Sequence, residues 1–257
     1  MSNTSFAALL RGTDSAGQRT FHFTSDWGQG RAIYGGLIGA ALYKTMRGQV
    51  PTDRQLRAMT VAFIGPVAPE PATVTATVLR QGKSVTQVEA RLMQHDQILA
   101  TANTSFGAPG TTMLDWRDAP APDTVRALPN VPGVTPAFLE HFDLRWTHGL
   151  PPFSGADKPD FSGWCRHKEP AGDDESTLIG LIGVWPPRVL ALLKRQAPGS
   201  SLTWSFDLID HGVSTDGNDW WFYEVNTQGA ANGFVQADAK LWRPDGQLAV
   251  VSRQTAV

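Results

Sequence analysis

Gly36-Leu37-Ile38-Gly39 stands early in the chain and returns unchanged, 144 residues later, as Gly180-Leu181-Ile182-Gly183. Two further pairs of stretches keep the same order. Met59-Thr60-Val61-Ala62-Phe63 matches Leu202-Thr203-Trp204-Ser205-Phe206 at an offset of 143. The run ARLMQHDQILAT from Ala90 matches AKLWRPDGQLAVV from Ala239, at 149 before the inserted Gly246 and 150 after it. Three separated matches in one order mark an internal duplication, and self-similarity of this kind decides architecture before any single residue does. The offset grows between Phe206 and Ala239, where HGVSTDGND lengthens a loop, and loops accept insertions.

Each repeat opens on a helix. Leu37, Ala40, Ala41 and Lys44 fall at helical spacing in GLIGAALYKTM, so Gly36 to Met46 is predicted as a buried helix whose glycines let backbone approach backbone. After Pro51, the β-branched stretches Met59–Ile64, Thr73–Arg80, Val85–Met93 and Ile98–Phe106 predict successive antiparallel strands, separated by turn signals such as Gln81-Gly82 and His95-Asp96. From Gly107 to about Ser176 recurrent prolines interrupt regular structure, leaving room for short strands at Phe142–Trp146 and Gly163–Arg166. Each half is thus a helix followed by about four or five antiparallel strands, with a strand or two ahead of it. One helix wrapped by one curled sheet is the hotdog arrangement. A lone sheet of this kind leaves an edge and an apolar face uncovered, so two copies side by side form one continuous sheet. The expected class is α+β, a double hotdog, with an N-terminal unit at 1–107, a Pro-rich linker at 108–140 and a C-terminal unit at 141–257.

Composition narrows the function classes. The 257 residues are 41% hydrophobic and 18% charged, which is globular and not disordered. Lys plus Arg number 22 against 24 Asp plus Glu, a net charge of −2, so there is no basic excess to grip nucleic acid or an anionic membrane. The single cysteine, Cys165, has no partner for an internal disulfide and is expected as a small buried hydrophobe. The first residues lack a basic start and an apolar run of about 7 to 15 residues, so no secretory signal is expected. No stretch approaches the roughly 18 apolar residues of a membrane span. A cytoplasmic chain is the expectation.

Several motifs invite chemistry. Gly28-Gln29-Gly30 followed by Gly35-Gly36 fails both glycine-rich phosphate templates: Ile33 stands where a dinucleotide fingerprint needs its third glycine, and Gly36 where a P-loop needs lysine. Two uses of Gly35-Gly36 remain open, a tight turn into a buried helix or backbone N–H donors for a developing oxyanion. His141, Asp143, His148, Cys165 and His167 cluster in sequence without metal-ligand spacing and are expected as polar residues on irregular loops. No metal or cofactor is expected. The nine tryptophans are assigned to core and subunit contacts.

Tyr34-Gly35-Gly36-Leu37-Ile38-Gly39, Leu79-Arg80-Gln81-Gly82-Lys83-Ser84, Thr104-Ser105-Phe106 and the segment LWRPDGQLAVVSRQ ending at Gln254 together resemble the acyl-CoA thioesterase II (TesB-like) family of double-hotdog enzymes. The resemblance spans nearly the whole chain outside the Pro-rich middle. It implies hydrolysis of acyl-CoA by a water held between an Asp on the second helix, a Thr on the next strand and a Gln on the last strand. Thr203 matches the Thr and Gln254 the Gln. The Asp position falls on Gly183, a departure from the family pattern. Neither a hydroxyl nor an amide takes a proton near neutral pH, so general-base assistance, typically worth about 10² to 10⁴-fold, is missing. Asp26 and His22 are the candidates to replace it, because Asp207 lies roughly 13 Å along the strand from Thr203.

The leading expectation is therefore hydrolysis of fatty acyl-CoA by direct water attack, possible at reduced rate, with Thr203 and Gln254 holding the water and N–H groups near Gly35 and Gly36 meeting the oxyanion. The alternative is an acyl-CoA-binding protein with little or no catalysis. A hydratase of enoyl thioesters is disfavoured, since Gly36 to Met46 holds neither the Asp nor the His it needs. Exposed sheet edges favour a homo-oligomer.

Overall fold

The computed structural model describes residues 4–15, 17–108, 110, 126–127, 135–159, 161–197, 199–209 and 218–257; for residues 126, 127 and 188 it describes the backbone alone. Most of the 108–140 linker and of the lengthened loop after Phe206 lie outside the described residues. Among the described residues three α-helices, α1 (Phe6–Leu9), α2 (Gly35–Arg47) and α3 (Ser176–Ile182), accompany fifteen strands. The strands are β1 (Thr13–Ser15), β2 (Gln18–His22), β3 (Gly28–Gln29), β4 (Ala32–Ile33), β5 (Gln55–Phe63), β6 (Pro71–Gln81), β7 (Val85–Gln94), β8 (Gln97–Gly107), β9 (Arg126–Ala127), β10 (Phe142–Gly149), β11 (Phe161–His167), β12 (Ser201–Leu208), β13 (Trp221–Ala231), β14 (Phe234–Trp242) and β15 (Leu248–Ala256).

Thirteen of them join one antiparallel sheet in the order β1-β2-β6-β7-β8-β5-β12-β15-β14-β13-β11-β10-β9. Apart from β9 the order is a palindrome about the β5–β12 seam, so the two halves of the chain are two copies of one unit. The bulges repeat as well. Arg57 of β5 and Leu202 of β12 are each the extra residue against the neighbouring strand, as are Leu79 of β6 and Gln228 of β13. These pairs correct one sequence match. Arg57 to Leu202 sets β5 and β12 at an offset of 145, not 143, which makes Met59 the counterpart of Trp204, Leu56 that of Ser201 and Thr104 that of Gln254. The last two hairpin strands keep the expected registers, Ala90 beside Ala102 and Ala239 beside Ser252.

Helix α2 is buried on nearly every face because the sheet wraps one side and α3 covers another. Ten of its thirteen residues are buried. Gly39 marks the crossing: a Cβ there would come within 3.0 Å of the Trp204 ring and 3.1 Å of Ile179. Only glycine lets the helices and the sheet meet this closely. The His95-Asp96 turn between β7 and β8 holds both residues at positive φ, 48° and 60°, the left-handed conformation that suits a two-residue hairpin. Cys165 is fully buried, and burial pushes its thiol up to about 12.

The His141-to-His167 group is corrected from loop residues to structural ones. His167 ends β11 with 1% exposure, wedged between Phe6 and Phe142 at 4.8 Å each, and its Nε2 donates to the Thr177 carbonyl at 3.1 Å. His141 stacks on Trp27 at 4.0 Å and meets Asp26. Burial pushes His167 down to about 4. The unfolded chain takes up a proton near pH 6.5 that the native chain refuses until about 4, so stability is complete above that window and falls as pH drops through it. The loss from this residue reaches about 3 kcal/mol by roughly pH 4. Denaturant titrations across this range should show the fall shrinking by that amount in His167→Gln, which keeps an N–H donor but does not titrate; an equal fall in both proteins refutes the assignment.

Candidate active site

Helices α2 and α3 run side by side in opposite senses, which brings the start of α2 to the end of α3. Tyr34, the residue capping α2, accepts from the N–H groups of Leu37 and Ile38 at 3.1 and 3.2 Å, and its own hydroxyl donates to the Gly180 carbonyl at 2.6 Å. Burial holds this phenol well above its ordinary pKa, with Tyr223 and Cys165 adding to the shift. It is a donor and not a base. Its ring folds back over the helix start, where a Cβ on Gly36 would fall 2.5 Å from it, and Gly35 faces Phe63 at 3.3 Å.

Helix α3 stops at Gly183, because Trp185-Pro186-Pro187 follows and the prolines cannot extend the hydrogen-bond ladder. Beside that end opens a narrow cleft lined by Gly183, Pro186, Trp204, Tyr223, Ser252 and Gln254, among others. Its interior, ≈ 20 Å³ open to the centre of a water, has room for one ordered water. Gln254 sits on β15 in register with Trp204 of β12 and Ala237 of β14, so its side chain shares their helix-facing side. Its Nε2 donates to Ser201 Oγ at 2.6 Å. Ser252, two residues back on the same face, accepts from the Trp204 indole at 2.9 Å.

The structure brings Gly183 and Gln254 to one cleft but does not bring Thr203. That expectation is corrected. Successive strand residues point to opposite faces, Trp204 is buried on the inner one, and Thr203 is exposed on the outer one in register with Ala62 and Thr255. The bulge at Leu202 returns Ser201 to the inner side, so the hydroxyl beside Gln254 is that of Ser201. Gly35 and Gly36 do not line the cleft either; Tyr34 and Phe63 pack against them. Nor does the structure bring in a replacement base. His22 is exposed at the end of β2, Asp26 is occupied by His141 and the Thr4 N–H, and Asp207 is exposed on the outer face. Among the described residues, no carboxylate or imidazole lines the cleft. Ser201, Tyr34 and Trp204 were the residues that sequence reading missed; Ser201 was within reach, since it stands two positions before Thr203.

Comparison with known proteins gives the arrangement a context. The profile of acyl-CoA thioesterase N-terminal domains matches residues 23–107, and that of acyl-CoA thioesterase C-terminal domains matches residues 122–257. A search of curated proteins returns no match. Among solved structures the fold is similar to that of a conserved protein of unknown function with a hot dog fold from Alicyclobacillus acidocaldarius, at TM-score 0.81 and 19% identity over 99% of this chain and 98% of that one. It is similar as well to the tesB protein of Mycobacterium avium subspecies paratuberculosis (TM-score 0.77, 18% identity, 98% and 97% covered). An acyl-CoA thioesterase II from Mycobacterium marinum is likewise similar (TM-score 0.76, 16% identity, 98% and 97% covered). At these identities the solved structures speak to the fold alone. The two domain profiles, one on each half of a palindromic sheet, speak to the family: the chain belongs to the acyl-CoA thioesterases, and its fold is the double hotdog.

Proposed function

We propose that this protein hydrolyses acyl-CoA by direct attack of a water held at Gln254 and Ser201. The observation that carries the reading is the Gln254–Ser201 hydrogen bond at the wall of the cleft where α3 ends. With its Nε2 engaged by Ser201, the Gln254 amide oxygen is left to accept a hydrogen bond from the water and aim the water's oxygen lone pair at the thioester carbonyl. The water gives up one proton to solvent, and attack of the resulting hydroxide gives a tetrahedral oxyanion; collapse breaks the carbon–sulfur bond, CoA leaves as thiolate, and the carboxylic acid product loses the second proton to solvent. Because the cleft lacks a base, the reaction relies on positioning and on polar contacts to the developing charge. No acyl-enzyme forms. We place the protein in the cytoplasm, and as a homo-oligomer, since among the described residues the sheet is open and ends at β1 and β9. Among the described residues no helix is long and apolar enough to cross a membrane.

The glycine at 183 favours a second reading, an acyl-CoA-binding protein that turns over little or nothing. A panel of acyl-CoAs with a thiol-trapping dye separates the two: release of CoA above the blank supports hydrolysis, and tight binding without release supports the binder. In the hydrolase, Gln254→Ala should lower kcat about tenfold or more while KM changes less, and Thr203→Ala should leave both near wild type. If Thr203→Ala is as damaging as Gln254→Ala, the site has been put on the wrong face of the sheet.

A further inference from the structure

Among the described residues, the space between helix and sheet on either side of the cleft at Gln254 is filled with rigid aromatic rings. Trp204, 4% exposed, is held at both ends: its indole donates to Ser252, and its six-membered ring lies so close to α2 that a Cβ on Gly39 would come within 3.0 Å. On the other side Trp185, 5% exposed, meets Trp146 edge-on at 5.1 Å, Phe161 at 5.5 Å and Tyr223 at 6.3 Å. It lies so near β11 that a Cβ on Gly163 would fall 2.6 Å from its ring. What remains is a short slot over the small side chains of Ala237 and Ala239, with room for about one water. Interiors packed in this way do not stretch to admit further methylenes without displacing a side chain.

Resting on the acyl-CoA reading above, we infer that the protein favours short acyl groups over long ones and that Trp204 and Trp185 set the length limit. An open apolar channel would bind longer chains more tightly, as each methylene left water. A closed slot reverses that order. Trp204 here is a specificity residue, and the glycines at 39 and 163 are what allow the two rings to stand where they do.

The test is titration calorimetry of the full-length protein with the thioethers S-butyl-CoA and S-dodecyl-CoA, which cannot be hydrolysed, alongside turnover of butyryl-CoA and lauroyl-CoA. Wild-type protein should bind S-butyl-CoA about tenfold or more tightly than S-dodecyl-CoA, and kcat/KM should follow the same order. Trp204→Leu, and Trp185→Phe as the milder change should the first fail to fold, should narrow the gap. Equal or tighter binding of S-dodecyl-CoA by wild-type protein overturns the inference, as does a gap that neither folded variant alters, or failure of both thioethers to bind. Graded binding without any CoA release would instead sink the hydrolase reading and leave the length limit standing.

Discussion

Gly183→Asp should hydrolyse acyl-CoA about a hundredfold faster than the wild-type protein, because it supplies a general base to a water that otherwise has none. The substitution is geometrically feasible. A Cβ at this position would lie 3.1 Å from Tyr34 Oη, so the phenol or the end of α3 must yield by a few tenths of an ångström. No ring or backbone atom blocks it more closely. Tyr34 now donates to the Gly180 carbonyl, and the same hydroxyl can turn to a carboxylate oxygen and fix its orientation. That hydrogen bond also favours the ionised form and so reduces the carboxylate's basicity. The gain should therefore sit near the lower end of the range for general-base catalysis, about 10² to 10⁴-fold. Gly183→Asn is the control, with nearly the same volume and no basicity. If the folded Asp variant is no faster than the Asn variant, the absent carboxylate is not what limits turnover.

The second large effect is in the pH profile. With no carboxylate or imidazole lining the cleft among the described residues, the deprotonated nucleophile has to come from hydroxide. Wild-type kcat/KM should climb about tenfold per pH unit, roughly a thousandfold between pH 6 and 9, with no plateau below the upper limit of the assay. Gly183→Asp should instead level off once its carboxylate is ionised. Buried His167, pushed down to about 4, cannot produce a break near neutrality. An inflection near pH 6.5 in the wild-type profile would mean that an imidazole takes part after all and that the cleft has been drawn too narrowly.

The fold was legible because the duplication left identical residues where helix meets helix. Gly36, Gly39 and Gly180 stand at places where a side chain would strike Tyr34, Trp204 or Phe6, so most of the repeat is a packing requirement written into the letters. The strands were legible from their β-branched runs and from the His95-Asp96 turn. Bulges were not. Nothing in the letters marks Arg57 or Leu202 as the extra residue, and without them the match between β5 and β12 slipped by two. The same blindness hid the partner of Gln254. Thr203 has the chemistry that the resemblance asks for, but strand alternation turns it outward, whereas Ser201 gains the inner face through a bulge visible only in the register. Tyr34 was missed for another reason: its hydroxyl acts across 146 residues on the Gly180 carbonyl, a distance over which no local pattern extends.

The β5–β12 seam joins residues 58–62 to residues 203–207. Closing a loop of that length costs entropy before any of its pairing is gained, so this ladder forms late, after each half has curled around its own helix. In a chain emerging from the ribosome, the first half waits with one edge of β5 paired to β8 and the other open until the second half arrives. The most vulnerable moment in the life of this protein is therefore an interval of synthesis, when that open edge can meet the same strand of a neighbouring nascent chain.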